Sequence, residues 1–288
     1  MSKSHRCIFC LKENEQFSTV EHIVPQSLGN TDDILLDAVC DKCQNYFGKE
    51  IERYTLSQTP FGFWRTMSDT KTKKGEKPFF NFSQVKDKCG RLDDFHQLTD
   101  NSVVIHPADG ESIIECAIFD KDIRCKILSG EKTHFDLVIT PKMLVYIGRF
   151  LGKIALEYLC KELGNRVFDC QFNELRNYVR HGTTNSIWPV ILGVLDENLL
   201  TYKKINEIEE THTLYAYSLY EDVCGGFYLF NFDIGTERYS LVLNCKFPAG
   251  IAFSKQLLAV LCKGTKELPK ILFYNIQDDS KGQQGGFS

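Results

Sequence analysis

The chain has 288 residues, more than one average domain, and its 43% hydrophobic, 25% charged and 12% aromatic composition is that of a globular protein with apolar residues enough for a sizeable core. Its 34 basic and 38 acidic residues leave a formal charge of −4, which excludes a protein that coats polyanions with its whole surface; nucleic-acid binding would have to come from a local basic patch or from a metal. No apolar run approaches the roughly 20 residues that span a bilayer, and Met1 to Arg6 lead into no signal-like stretch, so a cytoplasmic protein with no membrane partner is expected.

The N-terminal stretch carries the chemistry. Cys7-Ile8-Phe9-Cys10 and Cys40-Asp41-Lys42-Cys43 can supply four thiolates to one tetrahedral Zn²⁺, because two residues between ligands let a tight turn aim both sulfurs at one point. A site closed by four cysteines has no open position, so its zinc is structural. The other eight of the 12 cysteines, among them Cys116, Cys125, Cys160 and Cys245, stand singly and read as reduced thiols. Between the pairs, Phe17 to Val20 feeds a strand that ends in Glu21-His22-Ile23-Val24-Pro25, since proline cannot continue a central strand. A polar loop over Gln26–Asp33 holds Gly29-Asn30, and Ile34–Val39 returns as a second strand. Tyr46, Phe47, Ile51 and Tyr54 recur at helical spacing and predict a helix from Lys42 to about Ser57, its N-terminal dipole favouring a phosphate. Gln44 and Asn45, just past Cys43, each offer an amide oxygen to a hard cation.

Over about residues 5 to 57 these motifs resemble the HNH, or ββα-metal, endonucleases, and more closely the subgroup in which paired cysteines bracket the active site. Cys-x-x-Cys, Glu-His-Ile-x-Pro, Leu28-Gly29-Asn30, Val39 to Cys43 and Asn45-Tyr46-Phe47 follow the subgroup in order. The resemblance implies a metal-dependent DNA endonuclease. A neutral imidazole, with an unperturbed pKa of about 6.5, can take a proton from attacking water, so His22 is the candidate general base, held off the metal. Mg²⁺ or Mn²⁺ would be held by Glu21 and by Gln44 or Asn45. Where the subgroup has asparagine directly after the last cysteine this chain has Gln44, and both amides stay candidates. The resemblance further implies products with a 5′-phosphate and a 3′-hydroxyl, and a setting in restriction or anti-phage defence, with DNA as partner and either a homo-oligomer or defence-system proteins beside it. The alternative is a zinc-stabilised nucleic-acid-binding protein that does not cleave.

Residues 59–78 read as a connector containing the aromatic Phe61-Gly62-Phe63-Trp64 and a lysine-rich run in which Lys73 and Lys74 are candidate phosphate contacts. Short alternating runs at Val103–Ile105, Ser112–Ile118, Ile123–Leu128 and Phe135–Ile139 predict antiparallel strands. Thr140-Pro141 then opens the longest helix, apolar from Met143 to Leu159 and ended by Gly164-Asn165. A second helix over Phe172–Arg180 places Arg176 and Arg180, with His181, on a candidate basic face, and Asn30, Lys49 and Arg53 complete the nucleic-acid candidates. Leu214–Tyr220, Gly226–Phe232 and Tyr239–Cys245 are further strand candidates. The expected fold class is α+β: a zinc-stapled ββα-metal unit over 1–58, the connector, a larger α+β domain over 79–272 with antiparallel strands and a long central helix, and a flexible tail over 273–288. The large domain would select substrate, sense a signal or mediate assembly.

Overall fold

The computed structural model describes residues 6–67, 139–196, 214–222, 226–246 and 255–266, isolated positions 125 and 129, and short strands at 85–86, 102–105, 114–117, 136–137 and 270–272. The fold is α+β, and among the described residues the strands pair antiparallel. Near the N-terminus, β1 (Glu21–His22) pairs with β2 (Ile34–Leu35), Glu21 opposite Leu35 and His22 opposite Ile34. Both strands are shorter than the sequence suggests. Ser18 and Thr19 give their backbone N–H groups to the Asp41 carboxylate at 2.9 and 3.2 Å instead of to a ladder, and Pro25 precedes a 3₁₀ turn closed by Gly29 at φ 89°.

The expected helix is present but changes pitch midway. It runs as α1 (Asp41–Phe47), a π turn (Gly48–Glu52) and α2 (Arg53–Gln58), with helical backbone at each junction. Thr59, extended at φ −122° and ψ 172°, breaks it. Pro60 then opens α3 (Pro60–Met67), so the first part of the expected connector is a helix, with Phe61 fully buried. Its aromatic residues are the reason: Phe61 packs 5.3 Å from Phe150 and 4.8 Å from Tyr239.

Strands β3 (Val85–Lys86), β4 (Ser102–Ile105), β5 (Ile114–Ala117) and β6 (Asp136–Leu137) pair as β3 with β6 and β4 with β5. Of the strand expected over Ile123–Leu128 only Cys125 is described, and Ser129 N–H donates to its carbonyl at 2.9 Å, a helical-turn bond; the other positions lie outside the described residues. The long helix α4 (Pro141–Leu163) begins where predicted, Thr140 Oγ1 accepting from Met143 N–H at 3.2 Å, and ends at Gly164 with φ 55°. A shorter helix, α5 (Asn173–His181), follows. The main sheet has the order β11 (Lys270–Leu272), β7 (Val190–Val194), β10 (Glu237–Val242), β9 (Phe227–Ile234), β8 (Tyr215–Asp222). Three of these strands were expected; β7, β11 and the helix α6 (Lys255–Cys262) were not. The expected tail lies outside the described residues. One apolar core runs from Cys7 through α4 to Leu243, joining the zinc-type unit to the sheet. Among the described residues no helix is long and apolar enough to cross a membrane.

Candidate active site

Cys7 and Cys10 sit on a turn in which Leu11 N–H returns to Cys7 O at 2.9 Å, and Cys40 and Cys43 span the start of α1. The four Sγ atoms lie within 4.8 Å of one another. Cys10 and Cys40 Sγ are 3.7 Å apart, and tetrahedral bonds of about 2.3 Å to zinc set neighbouring sulfurs about 3.8 Å apart. The donor set therefore fits a structural zinc. A bond from the Cys43 thiol lowers Cys7 to about 4 against the opposing effect of burial, helped by the Cys40 N–H at 3.4 Å. Burial instead raises Cys40 to about 11. Among the described residues this is the only group of three or more His, Cys, Asp or Glu side chains arranged to hold an ion.

Successive strand residues face opposite ways. Glu21 turns inward, 7% exposed, while His22 is half-buried with its Nδ1 enclosed and without a hydrogen-bond partner. Asn30 does not orient that imidazole. Its amide donates to Val24 O at 2.7 Å and Asp33 O at 2.9 Å and accepts from Asp33 N–H at 3.0 Å, which ties the loop shut. Gln44 is similarly committed: its Nε2 donates to Thr19 O and Val39 O, each at 3.1 Å, and its Oε1 accepts from Thr19 Oγ1. Asn45, one position on, is exposed, and no described residue bonds its side chain.

Glu21 Oε1 meets Lys153 Nζ at 2.5 Å. That ammonium, fully buried in α4, also lies 3.1 Å from Glu52 Oε1 and 3.2 Å from Glu157 Oε2. Burial alone would lower the Lys153 pKa, but Glu157, Glu21 and Glu52 outweigh it and keep the lysine charged. Burial pushes Glu157 well above the ordinary carboxylate range. Sequence reading missed Lys153, Glu52 and Glu157. The signal was two opposite charges at i and i+4 inside the otherwise apolar stripe of α4, where an unpaired charge is rarely tolerated.

These pieces, a four-cysteine staple around a ββα hairpin bearing Glu-His, match a known pattern. Residues 7–59 fit the family model of the HNH endonucleases. No curated protein and no solved structure matches the chain. The HNH segment points to a nuclease acting on nucleic acid. Lys49 and Arg53 are exposed on it and line an open groove of about 660 Å³ together with Ser27, Glu52, Tyr54 and Tyr146. Arg180 is half-buried, and Lys73 and Lys74 lie outside the described residues. Arg176 is a correction: only 3% exposed, it donates through Nε to Ile8 O at 2.6 Å and through its other nitrogens to Asn173 Oδ1 and Val167 O. Its guanidinium braces the cysteine turn from inside and has no face to offer DNA.

Proposed function

We propose that the chain is a metal-dependent DNA endonuclease, with His22 as general base and Glu21 and Asn45 as protein ligands of a Mg²⁺ or Mn²⁺ ion. The observation that carries the reading is a half-buried imidazole, its enclosed Nδ1 without a hydrogen-bond partner, held at the end of β1 inside the HNH segment. The other ring nitrogen, Nε2, would be the one to accept the proton of attacking water. Glu21 has a second carboxylate oxygen beyond the one on Lys153, and Asn45 has an uncommitted amide, whereas Gln44 would have to break the bonds that hold Thr19 and Val39. When bound, the divalent ion offsets charge developing on the phosphate and on the leaving oxygen. Lys49 and Arg53, beside Glu50 and Glu52 on the same groove, would be its contacts to a phosphate backbone, with products expected to carry a 5′-phosphate and a 3′-hydroxyl. Residues 1–58 are the cleaving unit in this proposal, and residues 79–272 select substrate or assemble partners. The setting is cytoplasmic, in restriction or anti-phage defence.

One observation favours a second reading. Glu21 is already neutralised by Lys153, as in a zinc-stabilised binder that does not cleave. Incubating the protein with plasmid DNA and Mg²⁺ or Mn²⁺ separates the two. Nicking that disappears in His22→Ala supports the enzyme; equal inactivity of both proteins, with DNA retarded in a gel, supports the binder. Asn45→Ala is expected to raise the metal concentration needed for half-maximal nicking, with Gln44→Ala doing so less.

A further inference from the structure

Lys153 belongs to α4, far outside the HNH segment, yet its ammonium lies against the carboxylate proposed as the charged metal ligand. Three carboxylates converge on it, from β1 (Glu21), the π turn (Glu52) and the next turn of α4 (Glu157). The bonding among them is uneven. Glu21 Oε1 takes a direct hydrogen bond at 2.5 Å, whereas both oxygens of the fully buried Glu157 lack an aligned hydrogen bond even though Oε2 is only 3.2 Å from Nζ. An ammonium carries three donors on a flexible stem. Swinging toward Glu157, its i+4 neighbour, would complete that group and release Glu21.

We propose that Lys153 is a built-in cation that competes with the divalent metal for Glu21, so that the nuclease site fills more readily when Nζ turns from Glu21 toward Glu157. The proposal rests on the reading of Glu21 as a metal ligand. Two cations drawn to one carboxylate repel each other, most strongly where water is excluded. The lysine thereby sets the metal concentration at which the site fills, and it is a positioning residue rather than a catalytic one.

The test is Mn²⁺ binding to the full-length, zinc-loaded protein, followed by calorimetry and by the loss of the free-Mn²⁺ paramagnetic resonance signal. Lys153→Gln is expected to tighten binding by roughly tenfold or more. Because removing one member of a buried ion cluster can prevent folding, Lys153→Gln combined with Glu157→Gln takes out the buried ammonium together with the buried carboxyl that faces it and is expected to tighten binding in the same direction. Unchanged or weaker Mn²⁺ binding in the folded variants would overturn the proposal. Glu21→Gln keeps the two readings apart. If it weakens Mn²⁺ binding while the lysine variants do nothing, Glu21 is a ligand and only the competition is lost. If it leaves binding unchanged, the ligand assignment of Glu21 fails and the competition falls with it.

Discussion

Glu237 shows how one side chain can carry a pH dependence. Its Oε2 accepts from Trp64 Nε1 at 2.8 Å and from Tyr239 Oη at 2.7 Å, but burial outweighs both bonds and raises its pKa. A carboxyl whose folded pKa lies above its unfolded one binds more protons when folded, so its contribution is most favourable below the ordinary carboxylate range and is lost as pH rises through the folded value. Glu237→Gln keeps an oxygen for both donors and removes the charge. It is expected to raise the thermal midpoint by roughly 2 °C at neutral pH, a gain that vanishes at about pH 4; melting curves at the two pH values check this. At this scale the sequence was legible where spacing speaks. Cys7, Cys10, Cys40 and Cys43 meet as their two-residue gaps require. Arg176 was illegible because it read as a surface charge on a helix, whereas Lys153 had a legible partner in Glu157 but its other partners, Glu21 and Glu52, are remote in sequence and only the packing of α4 brings them together.

Elements were legible where a local signal closes them. Thr140 with Pro141 and Gly164 bounded α4, and the alternating runs gave β8 to β10. Strand β7 is hidden because Val190–Val194 is apolar nearly throughout, a pattern shared by buried helices and strands. The first part of the connector became α3 because its aromatic residues found partners remote in sequence. The crossing of α4 and α5 depends on Gly152. A Cβ there would stand 2.7 Å from Val179 Cγ2 and 3.0 Å from Leu175 Cδ1. Alanine gains up to about 1 kcal/mol of helix propensity, but overpacking costs about 1–3 kcal/mol. Gly152→Ala is therefore expected to lower stability by about 1 kcal/mol in urea unfolding, whereas an exposed helical glycine would gain.

Among the described residues, the HNH segment shares an apolar core with α4, α5 and one face of the main sheet. Arg176 holds Ile8 O, and Arg149 donates at 2.6 Å to Tyr46 Oη, which itself donates to Arg180 O at 2.5 Å. Cys7, Cys40 and Cys43 belong to the same apolar cluster as Trp188 and Leu243. One zinc per chain is expected by elemental analysis, and chelation, or Cys40→Ser with Cys43→Ser, is expected to lower the unfolding midpoint reported by Trp188 fluorescence in a Trp64→Phe background. An unaltered Trp188 transition there beside lost helical ellipticity would mean that the segment melts by itself.

Because Lys153 follows the HNH segment by nearly a hundred residues, order of synthesis enters. At ribosomal speeds of about 5–20 residues per second, the four-cysteine segment of a nascent chain emerges roughly 5–20 s before the lysine that will sit on Glu21. For that interval the growing polypeptide carries its acidic centre bare, and translation of α4 then installs the lysine on it.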